Sequence, residues 1–289
     1  MRLIFVHGRS QQGNDPDTMK TEWLAALQEG LQKSHLALPD NVEVRLPFYG
    51  DRLNTFAAEF DVPLTEDVNT RGGGEDADFL EFEQAVVESV RQGAGITKEQ
   101  VDQKYGEIPK PKGPQNWHWV QAILRAIDDF SPGLSGKALE IFTRDVYLYT
   151  KRDGVKTEIN KIVAAELSEQ EPTVIVGHSL GSVVAYSVLR QDTRALQVRS
   201  FVTLGCPLGV RPIRNQFAPL KFPTLAKTWY NAYDDKDVVA LYPLDGKNFP
   251  VKPEVFNNPK VINQTGNHHG ISGYLGDSAV SRAIHQALS

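Results

Sequence analysis

A serine stands between two glycines in the segment Gly177-His178-Ser179-Leu180-Gly181. The residues before it, Thr173 to Val176, are apolar or β-branched and favour a buried strand, and apolar residues recur at helical spacing after it. A sharp strand-to-helix turn needs small residues two positions either side of the serine, and it holds the hydroxyl above the sheet. The pattern predicts that Ser179 is a nucleophile; the alternative is an ordinary strand-to-helix turn.

A serine hydroxyl is a weak nucleophile at neutral pH, so it needs a base, which is normally a histidine oriented by a carboxylate. Three histidines follow Ser179 in the chain: His268, His269 and His285. His285 falls in an amphipathic C-terminal helix and is interpreted as a surface residue. His268 and His269 lie in a predicted loop near the end of the sheet, and either could be the base on position alone.

The acid is expected in the loop after the preceding strand, Thr228 to Tyr233, where three aspartates compete. Asp237 is favoured because Val238-Val239 follows it, and burial of those valines would turn the carboxylate inward. Asp234 and Asp235 have the simpler interpretation of turn residues.

An acyl-transfer intermediate also needs hydrogen-bond donors for its oxyanion. The backbone N–H of Leu180, directly after the serine, is one predicted donor. The second is expected from the loop after the first strand, where Gly8 allows close approach and the N–H of Gly8 or Arg9 would point at the oxyanion. His7 precedes the serine and is predicted to organise this loop, with no role as base.

The elements around these residues alternate between strands and helices, which predicts an α/β fold with a mostly parallel sheet and helices on both faces. Predicted strands include Leu3 to Val6 at the start and Val261-Ile262 at the end. One domain, residues 1–289, is expected to carry an inserted cap or lid at 50–135, because that stretch is too long for a connection.

The insertion has an unusual composition. Residues 59–88 hold ten acidic side chains and one basic side chain, with Gly72-Gly73-Gly74 near the middle. Its apolar residues, among them Phe79 and Phe82, need a surface to cover, and the pocket above Ser179 is the predicted one. Trp117-His118-Trp119 is interpreted mainly as packing between cap and core, with the lining of a pocket as the alternative.

Composition excludes several classes of protein. The net charge is −5 and no dense basic run occurs, which argues against nucleic-acid binding. One cysteine forms no internal disulfide, no cofactor or metal motif is found, and no apolar stretch is long enough for a transmembrane helix. The apolar N-terminal stretch is too short for a signal peptide, so a cytoplasmic location is expected.

Four motifs carry a resemblance to a known family. They are LIFVHG at 3–8, VIVGHSLG at 174–181, YDDKDVV at 233–239 and NHHGISGYL at 267–275. The chain resembles the α/β-hydrolase superfamily, and within it an uncharacterised group of bacterial serine hydrolases that are esterase- or lipase-like. Their end motif, H-x-I-x-G-Y-L, implies that His269 is the base. Cys206 stands where those relatives commonly carry serine, and it is interpreted as a small buried residue.

The expected function is hydrolysis of an acyl bond, preferably a carboxylic ester, through an acyl-serine intermediate formed by Ser179, Asp237 and His269. The alternatives are a phospholipase or serine peptidase with the same triad, or a catalytically idle fold that serves as a binding module. The expected partner is a small-molecule or lipid-like acyl substrate, without nucleic acid, an integral membrane contact or a cofactor.

Overall fold

A computed structural model describes residues 1–9, 11–62, 64, 77–106, 115–130 and 135–289. The strands are β1 (Arg2–Val6), β2 (Glu43–Arg45), β3 (Thr173–His178), β4 (Val198–Leu204), β5 (Trp229–Ala232) and β6 (Phe256–Asn258). The helices are α1 (Pro16–Gln32), α2 (Gly50–Glu59), α3 (Ala77–Gly93), α4 (Lys98–Gly106), α5 (Gln115–Phe130), α6 (Gly136–Lys151), α7 (Asp153–Ala165), α8 (Leu180–Gln191), α9 (Arg211–Arg214), α10 (Ile271–Leu275) and α11 (Ser278–Leu288).

The strands form one parallel sheet in the order β2-β1-β3-β4-β5-β6. Every residue of β3 is buried, because helices cover both faces of the sheet. The side chains of β1 alternate accordingly: Leu3 and Phe5 enter one core, while Ile4 and Val6 enter the other. This arrangement confirms the predicted α/β class and the predicted parallel sheet.

The two faces are covered by different parts of the chain. Helices α1, α10 and α11 cover one face, and helices α2, α3 and α5 to α8 contribute to the core on the other. Parallel strands leave their carboxyl ends at one edge, so the loops after β1, β3, β4 and β5 meet there. The candidate residues Gly8, Arg9, Ser179, Leu180 and Asp237 follow the ends of β1, β3 and β5, and His269 follows β6.

The final strand differs from the prediction. Val261 and Ile262 are not in a strand. Val261 is buried in the core that contains Leu3 and Phe5, whereas Ile262 is 78% exposed. The edge strand is β6 instead, and its Asn257 receives a hydrogen bond from Asn231 (2.9 Å) and pairs with the backbone of Leu244. The edge strand of the sheet is therefore held by the polar side chain of Asn257, and a search for apolar residues in the sequence does not detect it.

The described part of the insertion is helical and packed. Phe79 and Phe82 of α3 are buried against Tyr147 of α6, with ring centroids 5.1 and 5.7 Å apart. Trp117 and His118 are also buried, as the packing interpretation of that motif requires. Gly72-Gly73-Gly74 lies outside the described residues, together with four of the ten acidic side chains of residues 59–88.

Across the described ranges, no helix combines the length and the apolar character needed to cross a bilayer.

Candidate active site

The turn around Ser179 is sharp and admits only small neighbours. β3 ends at His178, α8 begins at Leu180, and Ser179 between them has φ of 54°, in the left-handed region that non-glycine residues rarely adopt. A Cβ on Gly181 would lie 2.0 Å from the Val6 carbonyl oxygen, and one on Gly177 would lie 2.7 Å from the Cα of Ser182. Sterics thus explain both glycines, and the turn has the geometry of a nucleophile elbow.

A cavity of about 550 Å³ opens at this turn. Its wall contains Ser179 and His269 together with Gly8 and Arg9 from the loop after β1. A Cβ on Gly8 would lie 3.0 Å from the Cβ of Ser179, so only glycine lets that loop pass so close to the serine. The structure thus brings the predicted nucleophile, base and oxyanion loop to one cavity.

His269 forms a short hydrogen bond with Asp237. Its Nδ1 lies 2.7 Å from Oδ2 of Asp237, whose side chain is fully buried. Because Nδ1–H donates to the carboxylate, Nε2 of the neutral ring carries the lone pair that a base requires. The turn after β4 makes room for this pair, since a Cβ on Gly205 would lie 3.0 Å from Oδ2 of Asp237 and from Nδ1 of His269.

The other candidates in these loops have different partners. His268 has φ of 52° and its Nδ1 donates to the carbonyl oxygen of Asn263 at 2.9 Å. Asp234 is buried, and its two carboxylate oxygens accept the backbone N–H groups of Lys236 (2.8 Å) and Asn263 (2.6 Å). Asp235 is exposed. Only Asp237 therefore contacts a histidine ring of this loop at hydrogen-bond distance.

The serine hydroxyl is poised without a partner. Ser179 is 2% exposed, and its Oγ forms no hydrogen bond with any described residue. Both Ser179 and His269 line the cavity, although the structure records no hydrogen bond between them. Catalytic hydrogen bonds are often long in the absence of substrate and shorten when it binds.

The predicted oxyanion donors belong to two segments next to the serine, the start of α8 and the loop at Gly8. Leu180 is the first residue of α8, a position whose backbone N–H has no acceptor within the helix. The side chain of Arg9 is held by α6: its Nη1 donates to the carbonyl of Ala138 at 2.9 Å, and its Nε lies 3.5 Å from Asp145. This anchoring fixes the loop that carries the Gly8 and Arg9 N–H groups.

Two buried histidines support the site as neutral rings. The Nε2 of His7 accepts the backbone N–H of Tyr49 (3.0 Å) and its Nδ1 donates to the Gly8 carbonyl (2.7 Å), and burial lowers the pKa of His7 to about 4. His178 donates from Nε2 to the carbonyl oxygen of His269 (2.7 Å), and burial, then the nearby His269, lowers the pKa of His178 to about 3. Both remain uncharged donors near neutral pH.

Sequence reasoning gave no role to two residues that the structure places at the triad. His178 is inside the elbow motif and holds the backbone of His269. Tyr274 is inside the end motif, and its hydroxyl donates to Oδ2 of Asp237 at 2.6 Å. The signal for both was their position within motifs already singled out. Cys206 is buried, and burial raises the pKa of its thiol to about 12, which agrees with its interpretation as a small packing residue.

The comparisons with known proteins place this geometry in a family context. Residues 146–275, a little under half of the chain, match the family described as PGAP1-like alpha/beta domain. The matched segment runs from α6 through the elbow to α10 and therefore includes Ser179, Asp237 and His269. No curated protein matches the chain. The family match suggests a hydrolase, and together with the six-stranded parallel sheet it identifies the architecture as an α/β-hydrolase-type fold.

Proposed function

We propose that this protein is a serine hydrolase that cleaves an acyl bond, with a carboxylic ester as the preferred substrate. The observation that carries the proposal is the 2.7 Å hydrogen bond between Asp237 and His269 at the cavity that contains the elbow serine. The order of the three residues along the chain, serine then aspartate then histidine, is that of the α/β hydrolases.

In the proposed reaction, Ser179 Oγ attacks the acyl carbon while Nε2 of His269 takes the hydroxyl proton. The negative charge that develops on the acyl oxygen is stabilised by the N–H of Leu180 and that of Gly8 or Arg9, each such donor contributing about 3 kcal/mol. His269 then protonates the leaving alcohol, and an acyl-serine remains. Water, deprotonated by His269, releases the acid and restores Ser179.

The cavity supports an acyl substrate of modest size. Its volume falls within the range of about 300–1,000 Å³ that is usual for small-molecule sites. Met19, Trp23, Phe142 and Ile271 give part of the wall an apolar surface for a carbon chain, while Gln11, Asn14 and Thr18 give another part hydrogen-bonding groups. A mixed wall of this kind suits an ester with one apolar and one polar side.

We propose that residues 50–135 form a cap within a single domain and influence access to this cavity. No residue of 50–62, 64, 77–106 or 115–130 lines the cavity, so any influence is indirect. Phe79 and Phe82 pack against Tyr147 and not over the pocket above Ser179, which is the surface that the sequence pattern predicted. Helix α3 packs on α6, and α6 supplies Ala138 and Phe142 to the wall. Tyr242 donates a hydrogen bond to the Ser89 carbonyl of α3 at 2.6 Å, three residues after Val239, which also lines the wall.

Labelling with a fluorophosphonate probe tests the proposed nucleophile. We expect the wild-type protein to be labelled at Ser179 and the Ser179→Ala variant to be unlabelled and slower in ester hydrolysis by about 10⁴-fold or more, because a triad acts as a unit. The matched control is Ser187→Ala, a buried serine further along the same helix that is absent from the cavity wall.

Absence of labelling in the folded wild-type protein would instead indicate an idle hydrolase fold that serves as a binding module. A panel of p-nitrophenyl esters of increasing chain length, run beside phospholipids and peptides, separates an esterase from the phospholipase and peptidase alternatives.

A further inference from the structure

Asp237 has a second side-chain partner besides His269. The hydroxyl of Tyr274 donates to Oδ2 at 2.6 Å, and the same oxygen accepts Nδ1–H of His269 at 2.7 Å. The other oxygen, Oδ1, accepts the backbone N–H of Val239 at 2.9 Å. The carboxylate is fully buried, so these three donors replace the water that would otherwise solvate its charge.

Tyr274 is itself held in one orientation. Its side chain is fully buried. Its hydroxyl oxygen accepts the backbone N–H of Asp234 at 3.2 Å, and its O–H donates to Asp237. It lies on α10, five residues after His269, so one short segment carries both donors to Oδ2. Burial, and then the charge of Asp237, raise the pKa of Tyr274 well above its usual value. The phenol therefore remains a donor across the pH range of an enzyme assay.

We propose that Tyr274 is a positioning residue of the triad: it fixes the Asp237 carboxylate so that Oδ2 faces His269, and it shares the negative charge that His269 senses. This inference rests on the proposed function. Two consequences follow from the geometry. Without the phenol, Oδ2 keeps only the Nδ1–H of His269 and Oδ1 keeps the backbone N–H of Val239, so the carboxylate and the ring are aligned less precisely, which slows catalysis. The Tyr274 hydroxyl no longer neutralises part of the Asp237 charge. The whole negative charge of Asp237 then acts on His269, so the protonated ring is stable to higher pH.

Tyr274→Phe tests the proposal because it removes one oxygen and keeps the ring. We expect kcat to fall by about tenfold to a hundredfold with KM within twofold, since a hydrogen bond to a charged group is lost. We also expect the acid limb of the kcat/KM profile to move to higher pH. The matched control is Tyr186→Phe, which also removes a hydrogen bond from a fully buried tyrosine, here to the Lys221 carbonyl, away from the cavity.

A fluorinated tyrosine at position 274 is a stronger donor, so it should move the acid limb in the opposite direction. Opposite shifts from the two changes cannot result from a general loss of stability. Thermal unfolding of each variant identifies any fold defect in Tyr274→Phe, in which case the fluorinated protein alone decides the question.

A second readout does not depend on turnover. The low-field proton NMR signal of the Nδ1–H shared by His269 and Asp237 should shift in Tyr274→Phe and stay in place in Tyr186→Phe. An unchanged signal and an unchanged pH profile in Tyr274→Phe would overturn the inference and leave the proposed function intact. If wild-type Ser179 fails to react with the fluorophosphonate, the proposed function fails, whereas a shifted NMR signal would still show that Tyr274 controls the Asp237–His269 pair.

Discussion

Two aspartate–histidine pairs lie side by side in the loops after β5 and β6, and only one of them has the geometry of a catalytic pair. Asp237 and His269 share a 2.7 Å hydrogen bond, whereas Asp234 and His268 approach only to 4.0 Å. Both aspartates are buried, at 0% and 3% exposure, so burial does not distinguish them. The difference lies in which atoms occupy the carboxylate oxygens.

The partners of each carboxylate define its role. Both oxygens of Asp234 accept backbone N–H groups of Lys236 and Asn263, which ties two loops together. Asp237 gives one oxygen to the backbone and keeps the other for the side chains of His269 and Tyr274. A carboxylate whose two oxygens both accept backbone N–H groups stabilises a loop, whereas one that keeps an oxygen for side chains can orient a ring.

Replacement of His269 by alanine should have the largest effect on activity, and replacement of His268 is its control. We expect His269→Ala to lower kcat/KM by about 10⁴-fold or more, close to the loss in Ser179→Ala, because each removes the proton transfer. His268→Ala should lower it less than about tenfold, since that ring donates to the Asn263 carbonyl and does not line the cavity. Initial rates with a p-nitrophenyl ester give both values. A comparable loss in the two variants would show that the structure assigns the wrong ring.

The aspartates should separate activity from stability. Asp237→Asn places an amide against Nδ1–H of His269 or forces the other tautomer, so we expect a loss of about 10³- to 10⁴-fold in kcat. Asp234→Asn replaces one of two accepting oxygens with an NH2 group, which cannot accept a backbone N–H. The loss should lower the free energy of unfolding by about 2–3 kcal/mol. Urea unfolding and rates per folded molecule measure the two quantities. Loss of rate without loss of stability in Asp234→Asn would contradict the division of roles.

The sequence and the structure agree best where the local sequence determines the geometry. The elbow could be predicted because β3 is a fully buried run and because Gly177 and Gly181 have no room for a side chain. Asp237 could be favoured because Val238-Val239 is buried. The choice of His269 over His268 came from resemblance alone, since a one-residue step reverses the direction of a side chain and φ of 52° at His268 is invisible in a sequence.

The rest depends on contacts between distant segments. The hydrogen bond from Tyr274 to Asp237 joins residues 37 positions apart, so the residues next to either one in the sequence do not predict it. The edge strand β6 was missed for a similar reason, because Asn257 is held by Asn231 and Leu244 and carries no apolar pattern. Apolar periodicity reports burial, and it contains no information on hydrogen bonds between loops.

The smallest effect should come from the contact between the cap and the segment that follows Asp237. Tyr242 donates to the Ser89 carbonyl of α3, and the same segment carries Val239 at the cavity wall. Tyr242→Phe removes this one hydrogen bond, which is worth about 1 kcal/mol. We expect kcat within twofold of wild type, because Asp237 and His269 keep their bond, and KM for longer esters to change by about two- to fivefold, since 1 kcal/mol corresponds to about fivefold in binding.

A matched control for this contact is Tyr230→Phe, which loses a hydrogen bond from Asn258 at 2.8 Å in the core on the other face of the sheet. That variant should leave KM unchanged at every chain length, because Tyr230 is absent from the cavity wall. Chain-length series of p-nitrophenyl esters on both proteins make the comparison. An equal KM in wild type and Tyr242→Phe for every ester would show that α3 does not influence the cavity through this segment, and the cap would then need another route to Ser179. A fall in kcat without a change in KM would mean instead that Tyr242 supports Asp237, which would extend the difference between the two aspartates to the residues that follow them.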